Sequence, residues 1–321
     1  MNPIRIHVAK PGWFSTVQDL GRYGYEQYGV SVAGAMDQFS MTVANRLVGN
    51  PDNAAVLELT LKGPELEFDE DTYIAITGAD LSPMISSTST PQWECVKVSR
   101  GSRLCFGRAR SGARSYLAIA GGIDVPMILD SRSTHCASET GGLNGRPLRP
   151  GDVLHTAPPS CESLSGMCLP DRLVPRYEKS ARLRVIPGPQ ENLFSATALT
   201  TLIGSSYRVT PESNRMGYRL AGPRIMRKGS EHFISEGTAT GALQIPADGQ
   251  PILLMTDRQT TGGYPTIAVV ITADLPLAAQ LAPGDTVTLS LTTIAKAQAT
   301  RRKQRALLDA TLKPRKSFHK V

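Results

Sequence analysis

The 321-residue sequence lacks any apolar run long enough to cross a membrane. Its longest, Ile267–Ile271, is far shorter than the roughly 18–20 residues of a spanning helix. The N-terminal sequence MNPIRIHVAK has no apolar segment typical of a secretory signal. The five cysteines are odd in number and include no C-x-x-C pair, as is typical of free thiols in a reducing compartment. We therefore expect a cytoplasmic protein without a membrane partner.

Familiar cofactor motifs are also missing from the sequence. It has no G-x-x-x-x-G-K-[ST] phosphate loop, no G-x-G-x-x-G dinucleotide fingerprint and no G-x-S-x-G nucleophile elbow. The Met-Lys-Met tripeptide that carries covalent biotin does not occur, and the scattered histidines form no H-x-x-x-H pair for zinc. We therefore expect no metal, no covalent biotin and no nucleotide site of a familiar type on this chain.

The net charge of +7 is concentrated at one end of the chain. Residues 296–321 contain nine Lys or Arg and a single acid, Asp309, so they carry +8 and the preceding 295 residues carry −1. Nucleic-acid-binding domains spread basic residues over a folded face, so we expect no nucleic-acid partner. A basic tail contacts an acidic partner in some proteins, but a solvated helix end is its commoner meaning.

Most of the secondary structure predicted from the sequence is β-strand. Helices are few: one follows Asp37 as N-cap, one covers roughly Gln190–Leu202, and a basic one runs from about Thr293 to Leu312. The alternation in Leu57–Leu61 gives one apolar and one polar face, which favours a barrel or sandwich. Short runs rich in β-branched residues predict these strands: Ile4–Val8, Val56–Leu61, Tyr73–Thr77, Cys95–Val98, Ser115–Ala120, Arg182–Ile186, Ser206–Val209, Ile252–Met255, Thr266–Thr272 and Thr286–Leu291.

Three short patterns occur in the same order in both halves of the chain. They are a strand–Gly-Pro–strand unit, an Asp-x-Pro ending and a Pro-Gly-Asp turn. The repeat predicts two copies of one all-β unit: a barrel over 1–158, a linker over 159–180, a second barrel over 181–291 and a basic helical tail over 292–321. The first copy carries an extra polar, Gly-rich loop, Ser131–Pro147, which we call the polar insertion and expect to be functional or mobile.

Four polar, Gly-rich segments are dense in side chains that carry chemistry. Ahead of the first helix, Asp19 and Arg22 either orient a polar substrate or stabilise turns and ion pairs. In Glu212–Arg219, Asn214 and Arg215 either bind a carboxylate or phosphate through the arginine fork or form a hairpin turn. Both interpretations remain open from the sequence.

The other two segments lie in the second half of the chain. Glu236 is a candidate general base if it is partly desolvated, or an exposed residue at a strand end. The segment 256–265 lies between two apolar strands and concentrates polar donors and acceptors at a predicted barrel rim, which favours a functional loop. Its candidate residues are Asp257, Gln259, Thr260, Thr261 and Tyr264.

Long stretches of these segments resemble one protein family. The stretches are TVQDLGRYGYEQYGVSVAGAMD, ANRLVGNPDNA, SYLAIAGGIDVP, SNRMGYRLAG and DRQTTGGYPTIA. They resemble the family of the 5-oxoprolinase C subunit, also described as allophanate hydrolase subunit 2-like, biotin-dependent carboxyltransferase-related or Kip-type antikinase antagonist. The resemblance extends from about residue 4 to 291, and more loosely through the final helix. It implies a mainly β fold of two tandem cyclophilin-like β-barrel domains with a basic C-terminal helix.

The resemblance also implies a function. The family forms an ATP-dependent 5-oxoprolinase, a cyclic amide hydrolase active only in complex, with a subunit 1-like protein (the B subunit) and a LamB/YcsF-like protein (the A subunit). This complex opens the small molecule 5-oxo-L-proline to L-glutamate. Two alternatives are a regulatory binding protein that antagonises an antikinase, and a carboxyltransferase component of a biotin-dependent urea or amide carboxylase. The resemblance marks these segments as signatures but assigns no roles to single residues. For the main interpretation we hypothesise that Glu236, Asp257 and Tyr264 are catalytic and that the following residues bind substrate: Asp19, Arg22, Asn214, Arg215, Gln259, Thr260 and Thr261.

Overall fold

The computed structural model describes residues 4–158, 166–229 and 234–312. The chain forms two compact units. The first unit contains Met1–Arg22, Asp37–Arg176 and Arg305–Val321, and the second contains Tyr23–Met36 and Tyr177–Gln304. The second unit therefore includes a short segment from the N-terminal part of the chain. The predicted domain boundaries at 158, 180 and 291 stay predictions.

The fold is mainly β, as the sequence predicts, and all ten predicted strands are present. The strands of the first unit are β1 (Arg5–Lys10), β2 (Phe14–Gln18), β3 (Val56–Thr60), β4 (Glu65–Phe68), β5 (Thr72–Asp80), β6 (Pro83–Ile85), β7 (Thr88–Ser89), β8 (Cys95–Val98), β9 (Arg103–Phe106), β10 (Ser111–Ile119) and β11 (Val153–His155). Those of the second unit are β12 (Ser180–Pro187), β13 (Ser206–Val209), β14 (Gly217–Ala221), β15 (Glu236–Gly237), β16 (Ala242–Gln244), β17 (Ile252–Leu254), β18 (Thr261–Gly262), β19 (Thr266–Val270) and β20 (Thr286–Leu291). The α-helices are α1 (Gln38–Leu47), α2 (Ala196–Gly204), α3 (Leu275–Ala279) and α4 (Ile294–Thr311).

The strands of the first unit form two sheets, in the orders β11-β1-β4-β9-β6-β7 and β2-β3-β10-β5-β8. Apolar side chains from both sheets share one buried core, including Ile6, Leu57 and Leu117. Helix α1 packs against β5 and β10 of the five-stranded sheet. The polar side of the predicted alternating strand therefore does not face solvent, and Glu58 on β3 is only 1% exposed.

Helix α1 begins where the sequence predicts. The Asp37 carboxylate accepts hydrogen bonds from the Ser40 backbone N–H at 2.8 Å and from the Ser40 hydroxyl at 2.6 Å. This is the bonding of an N-cap residue, so that prediction is confirmed. The helix ends at Leu47, and Gly49 follows with a φ of 69°, the left-handed conformation that ends many helices.

The second unit contains a closed seven-stranded barrel in the order β12-β19-β16-β17-β14-β13-β20. Neighbouring strands are antiparallel except β12 and β20, which pair in parallel. The buried core includes Leu183, Tyr207, Leu243 and Leu289, whose side chains come from four of these strands. Closure pairs both edges of the sheet, so the ends of the strands and their connecting loops are left to build a site.

One helical prediction for the second unit needs correction, and one helix was missed. The predicted helix over Gln190–Leu202 begins later: Glu191–Leu193 is a 3-10 turn, and α2 starts only after Ser195. The Ser195 hydroxyl accepts a hydrogen bond from the Ala198 N–H at 3.0 Å, which makes Ser195 the true N-cap. Helix α3 was not predicted, because its five residues are too few to show a helical period.

The predicted C-terminal helix is present as α4, within one residue of its predicted ends. Its last turns are anchored rather than fully solvated. Arg46 of α1, only 1% exposed, contacts Asp309 at 2.7 Å and Asp52 at 2.7 Å. Leu308 is also buried. The single acid of the basic tail therefore pairs with a buried arginine of the first unit.

Some predictions concern residues outside the described part of the chain, and others are tested there only in part. No helix in the described part of the chain is long and apolar enough to cross a membrane. No disulfide bond joins the four described cysteines, Cys95, Cys105, Cys136 and Cys168, to one another. Cys161, the first part of the predicted linker (159–165) and the end of the basic tail (313–321) lie outside the described residues.

Candidate functional site

Two predicted site residues meet because neighbouring barrel strands bring them together. Arg215 lies just before β14, and Asp257 lies just after β17. The two strands are antiparallel, with Gly217 opposite Leu254, so the start of one lies beside the end of the other. The Asp257 N–H donates to the Arg215 carbonyl at 2.9 Å, which continues the strand pairing to these two residues.

The side chains of Arg215 and Asp257 form a buried bidentate ion pair. The Arg215 Nε lies 2.8 Å from Asp257 Oδ2, and Nη2 lies 2.9 Å from Oδ1. The two residues are 7% and 8% exposed. Parallel N–H···O bonds of this kind are strong and directional, and they balance one charge with the other. The protein therefore neutralises the Arg215 charge by itself.

The same guanidinium fixes the segment Tyr23–Met36 on the second unit. Arg215 Nη2 also donates to the Gly34 carbonyl at 2.7 Å and to the Thr256 hydroxyl at 3.2 Å. The Ala33 N–H donates to the Thr256 carbonyl at 3.1 Å. Ala33 has a φ of 55°, which is unfavourable for a residue with a Cβ. These bonds therefore hold a local backbone shape that the segment does not prefer by itself.

Arg258 was not among the residues predicted from the sequence, but it lies in the same segment. Its Nη1 donates to the Thr240 hydroxyl at 2.8 Å and its Nη2 to the Thr238 carbonyl at 3.4 Å. Its Nε has no hydrogen-bond partner among the described residues, although Arg258 is only 8% exposed. Burial lowers the pKa of Arg258, and the charges of Glu26 and Tyr23 oppose this shift only in part.

Glu236 and Thr261 lie on a small two-stranded sheet formed by β15 and β18. Glu236 is opposite Gly262 in the register of this sheet. The Glu236 side chain is exposed, and its Oε2 accepts a hydrogen bond from Gln190 Nε2 at 2.8 Å. Glu236 thus has the position of an exposed strand residue, and its role as a general base stays a prediction.

Gln259, Thr260 and Tyr264 contribute backbone carbonyls to the same loop region. Thr238 donates its N–H to the Thr260 carbonyl at 2.9 Å and its hydroxyl to the Gln259 carbonyl. Gln244 Nε2 donates to the Tyr264 carbonyl at 3.1 Å. The loop backbone is therefore well held, while the Tyr264 side chain is 47% exposed. The roles predicted for these side chains stay predictions.

Asn214 is part of the turn that precedes β14. Its side-chain Oδ1 accepts a hydrogen bond from the Met216 N–H at 2.8 Å, and its own N–H donates to the Gly217 carbonyl at 3.2 Å. This bonding is that of an Asx turn. Asn214 therefore lies in a turn, as in the hairpin-turn interpretation. The side chain of the next residue, Arg215, contacts Asp257.

Asp19 and Arg22 lie in the first unit, where the polar insertion surrounds them. The Asp19 carboxylate accepts hydrogen bonds from the Ser131 hydroxyl at 2.7 Å, the Ser133 hydroxyl at 2.5 Å and the Arg132 N–H at 2.6 Å. Arg22 Nη2 donates to the Ser133 carbonyl at 2.5 Å. Asp19 and Arg22 are 2% and 1% exposed. The insertion therefore has a structural role around a buried carboxylate, and substrate binding by these two residues stays a prediction.

A second buried polar cluster in the first unit was not predicted. The Tyr116 hydroxyl donates to Glu58 Oε2 at 2.8 Å and accepts from the Asp37 N–H at 2.7 Å. Arg114 Nε lies 3.9 Å from Glu58 Oε1. Burial, and then the charges of Glu58 and Asp37, raise the pKa of Tyr116 well above its usual value. Tyr116 therefore stays a neutral donor that links β3, β10 and the start of α1.

Comparison with known proteins identifies the family. A family of carboxyltransferase domains, comprising subdomains A and B, matches residues 28–291. The chain belongs to this family. It is 38% identical over 282 residues to the C subunit of 5-oxoprolinase from Escherichia coli (strain K12), covering 88% of this chain and 89% of that protein. The resemblance found in the sequence motifs is thereby confirmed.

Two further relatives show that the family occurs in proteins of different length. The chain is 35% identical over 297 residues to the C subunit of 5-oxoprolinase from Haemophilus influenzae, covering 92% of this chain and 94% of that protein. It also resembles the crystal structure of the Kluyveromyces lactis urea amidolyase with a TM-score of 0.91 and 33% identity, over 97% of this chain but only 20% of the larger protein. This carboxyltransferase fold thus occurs both in 5-oxoprolinase and within a longer enzyme.

Proposed function

We propose that this chain is a subunit of an ATP-dependent 5-oxoprolinase, which opens 5-oxo-L-proline to L-glutamate. The observation that carries this proposal is its 38% and 35% identity to two proteins named as the C subunit of 5-oxoprolinase, over 89% and 94% of their lengths. The chain acts with a subunit 1-like protein and a LamB/YcsF-like protein. It is inactive alone, and the complex works in the cytoplasm.

The chemistry requires a protein that orients the lactam ring and polarises its amide, because resonance makes the amide carbon resistant to attack by water. We assign this task to the loops of the second unit. Gln259 and Tyr264 contact the amide group, Thr260 and Thr261 add hydrogen-bonding groups around the ring, and Glu236 transfers a proton. The exposed positions of Glu236 and Tyr264 keep both side chains within reach of a ligand from solvent.

Asp257 acts by holding Arg215. Their bidentate pair, together with the bond from Arg215 to the Gly34 carbonyl, keeps the rim of the barrel in one arrangement. Substrate positioning of this kind contributes strongly to rate, since small displacements from the reactive geometry are costly. We therefore assign Asp257 the role of a positioning residue.

Neither the sequence nor the described residues show a site of a familiar type for ATP with its magnesium ion. The described residues contain no group of three or more His, Cys, Asp or Glu side chains arranged to hold a metal ion, and the sequence has no phosphate loop. We therefore place nucleotide binding on another chain of the complex and derive no step through ATP on this one. Covalent biotin likewise has no attachment motif here.

Reconstitution with the purified LamB/YcsF-like and subunit 1-like proteins tests the proposal. We expect ATP-dependent release of glutamate from 5-oxo-L-proline that requires all three chains. Asp257→Asn should lower this turnover, whereas Asp248→Asn, which removes the same charge from an exposed turn, should not. An unchanged rate when this chain is omitted would contradict the proposal.

The similarity to urea amidolyase favours one other function, a carboxyltransferase component of a biotin-dependent carboxylase. The fold match has a TM-score of 0.91. This function needs a separate biotinylated carrier, because the chain has no biotin motif. Streptavidin blotting of the complex purified with its native partners distinguishes the two: a biotinylated partner and bicarbonate-dependent carboxylation favour the second function, and their absence favours the first.

A further inference from the structure

Two buried arginines of the second unit, Arg215 and Arg258, differ in whether a carboxylate balances their charge. Arg215 is balanced by the Asp257 carboxylate through two short bonds. Arg258, the next residue after Asp257, is equally buried but pairs with no carboxylate among the described residues. A buried cation without a counter-charge is costly, and proteins retain one mainly where something else supplies the negative charge.

The hydrogen-bond partners of Arg258 do not supply that charge, and the charges of Glu26 and Tyr23 offset the effect of burial only in part. Its two acceptors, the Thr240 hydroxyl and the Thr238 carbonyl, are neutral, and its Nε has no acceptor among the described residues. Glu26 acts on Arg258 only from a distance: it forms no ion pair with it, and its carboxylate accepts a hydrogen bond from the Gly24 N–H at 2.8 Å. Nη1 and Nη2 each carry a second N–H beyond these bonds, so the guanidinium keeps hydrogen-bonding capacity and a net positive charge.

The backbone holds Arg258 in place independently of its side chain. The Ser31 hydroxyl donates to the Arg258 carbonyl at 2.9 Å, and the Arg258 N–H donates to the Met255 carbonyl at 3.3 Å. The Thr240 hydroxyl fixes one end of the guanidinium at 2.8 Å. The side chain is therefore preorganised, which lowers the entropic cost of binding an anion.

We propose that Arg258 is the residue that binds the carboxylate of the substrate. The ligand class is a small monocarboxylate, whose oxygens accept hydrogen bonds from the Arg258 guanidinium and supply the missing negative charge. In the proposed function, on which this assignment to a substrate rests, the ligand is 5-oxo-L-proline. Arg215 does not take this role, because its guanidinium already binds Asp257 at both Nε and Nη2.

Binding by the full chain tests the role of Arg258 with two matched ligands. 5-Oxo-L-proline carries the carboxylate, and 2-pyrrolidinone is the same lactam without it. Calorimetric titration should show that wild type prefers 5-oxo-L-proline and that Arg258→Gln weakens its binding about 30-fold or more, the effect of removing one partner of a buried charge pair. Arg208→Gln, which removes an exposed arginine of the same barrel, should bind like wild type. Wild-type affinity in Arg258→Gln would overturn the proposal.

Thermal stability separates a binding role from a structural one. Without ligand, Arg258→Gln should melt at a higher temperature than wild type, because it removes an uncompensated buried charge and keeps a group able to donate to Thr240. Sodium acetate, a monocarboxylate without a lactam, should stabilise wild type but not this variant. A lower melting temperature for the variant without ligand, or equal stabilisation of both by acetate, would show that Arg258 is structural.

The two proposals fail in different ways. If acetate protects wild type through Arg258 but the reconstituted complex releases no glutamate, the carboxylate site stands and the 5-oxoprolinase proposal fails. If the complex containing Arg258→Gln converts 5-oxo-L-proline with the wild-type KM, the 5-oxoprolinase proposal stands and the role of Arg258 is refuted. A KM raised by Arg258→Gln and left unchanged by the Arg208→Gln control supports both.

Discussion

Replacing Asp257 by leucine tests how much the buried ion pair contributes to the second unit. The variant leaves Arg215, which is 7% exposed, without its carboxylate. Breaking a buried pair in this way costs about 3–5 kcal/mol, because the remaining charge stays desolvated. At roughly 2–4 °C per kcal/mol for a domain of this size, the melting temperature of the second unit should fall by about 6–20 °C.

The double variant Arg215→Met/Asp257→Leu gives the decisive comparison. It removes both charges and keeps apolar volume, so most of the loss should be recovered. Two hydrogen bonds from Arg215, to the Gly34 carbonyl and the Thr256 hydroxyl, are still lost. At about 0.5–1.5 kcal/mol each, they leave the double variant about 1–3 kcal/mol less stable than wild type.

The two tryptophans of the chain allow the two units to be followed separately. Trp13 and Trp93 both belong to the first unit, so tryptophan fluorescence reports the unfolding of that unit. Far-UV circular dichroism reports both units. If the double variant loses as much stability as the sum of the two single variants, the charges of Arg215 and Asp257 are not coupled and the reasoning is refuted.

Three further predictions use local features of the structure. Ser195→Ala should destabilise the second unit by about 0.5–2 kcal/mol in denaturant unfolding followed by circular dichroism, and Ser195→Asp should restore it, since both Ser and Asp cap helices. Gly262→Ala should lower turnover of the reconstituted complex, because its Cβ would lie 2.7 Å from the Gln244 side-chain nitrogen that holds the Tyr264 carbonyl, whereas a Cβ at Gly237 would meet no described atom within 4 Å and Gly237→Ala should be silent. A hydrogen bond from the buried arginine of α1 lowers the pKa of Asp309, so the stability that this carboxylate contributes is complete above its unfolded pKa and is lost as pH falls through the folded one. Unfolding midpoints of wild type and Asp309→Asn should therefore converge in acid, and a constant difference at every pH would contradict this.

Local patterns predicted ten of the strands and two of the helices, for a physical reason. Strand alternation and the signal of an N-cap such as Asp37 involve residues within a few positions of each other, and the structure keeps them. The errors also have local causes. The 3-10 turn Glu191–Leu193 resembles a helix start in composition, and only the hydroxyl of Ser195 marks the real beginning.

The candidate site depended on contacts between residues far apart in the sequence. Arg215 and Asp257 were each predicted, but their pairing follows from the register of β14 and β17, which no local pattern contains. Asp19 likewise finds its partners more than 110 residues away, in Ser131 and Ser133. Composition indicated which segments carry polar groups, and only the fold shows which of those groups neutralise one another.

The sequence did not single out Arg258, but a comparison of the carboxylate partners of the buried arginines distinguishes it in the structure. Arg46, Arg114 and Arg215 each face a carboxylate within 4 Å. These three arginines have acidic partners inside the fold, and a further aspartate near Arg258 would have stabilised the unliganded protein. The described surroundings of Arg258 contain no such aspartate, which is the arrangement expected if a ligand binds there. A fixed carboxylate at this position would compete with the substrate for the same guanidinium. Introducing such a competitor, by Thr240→Asp, should raise the melting temperature of the free chain and weaken calorimetric binding of 5-oxo-L-proline together, a combination that a purely structural arginine does not produce.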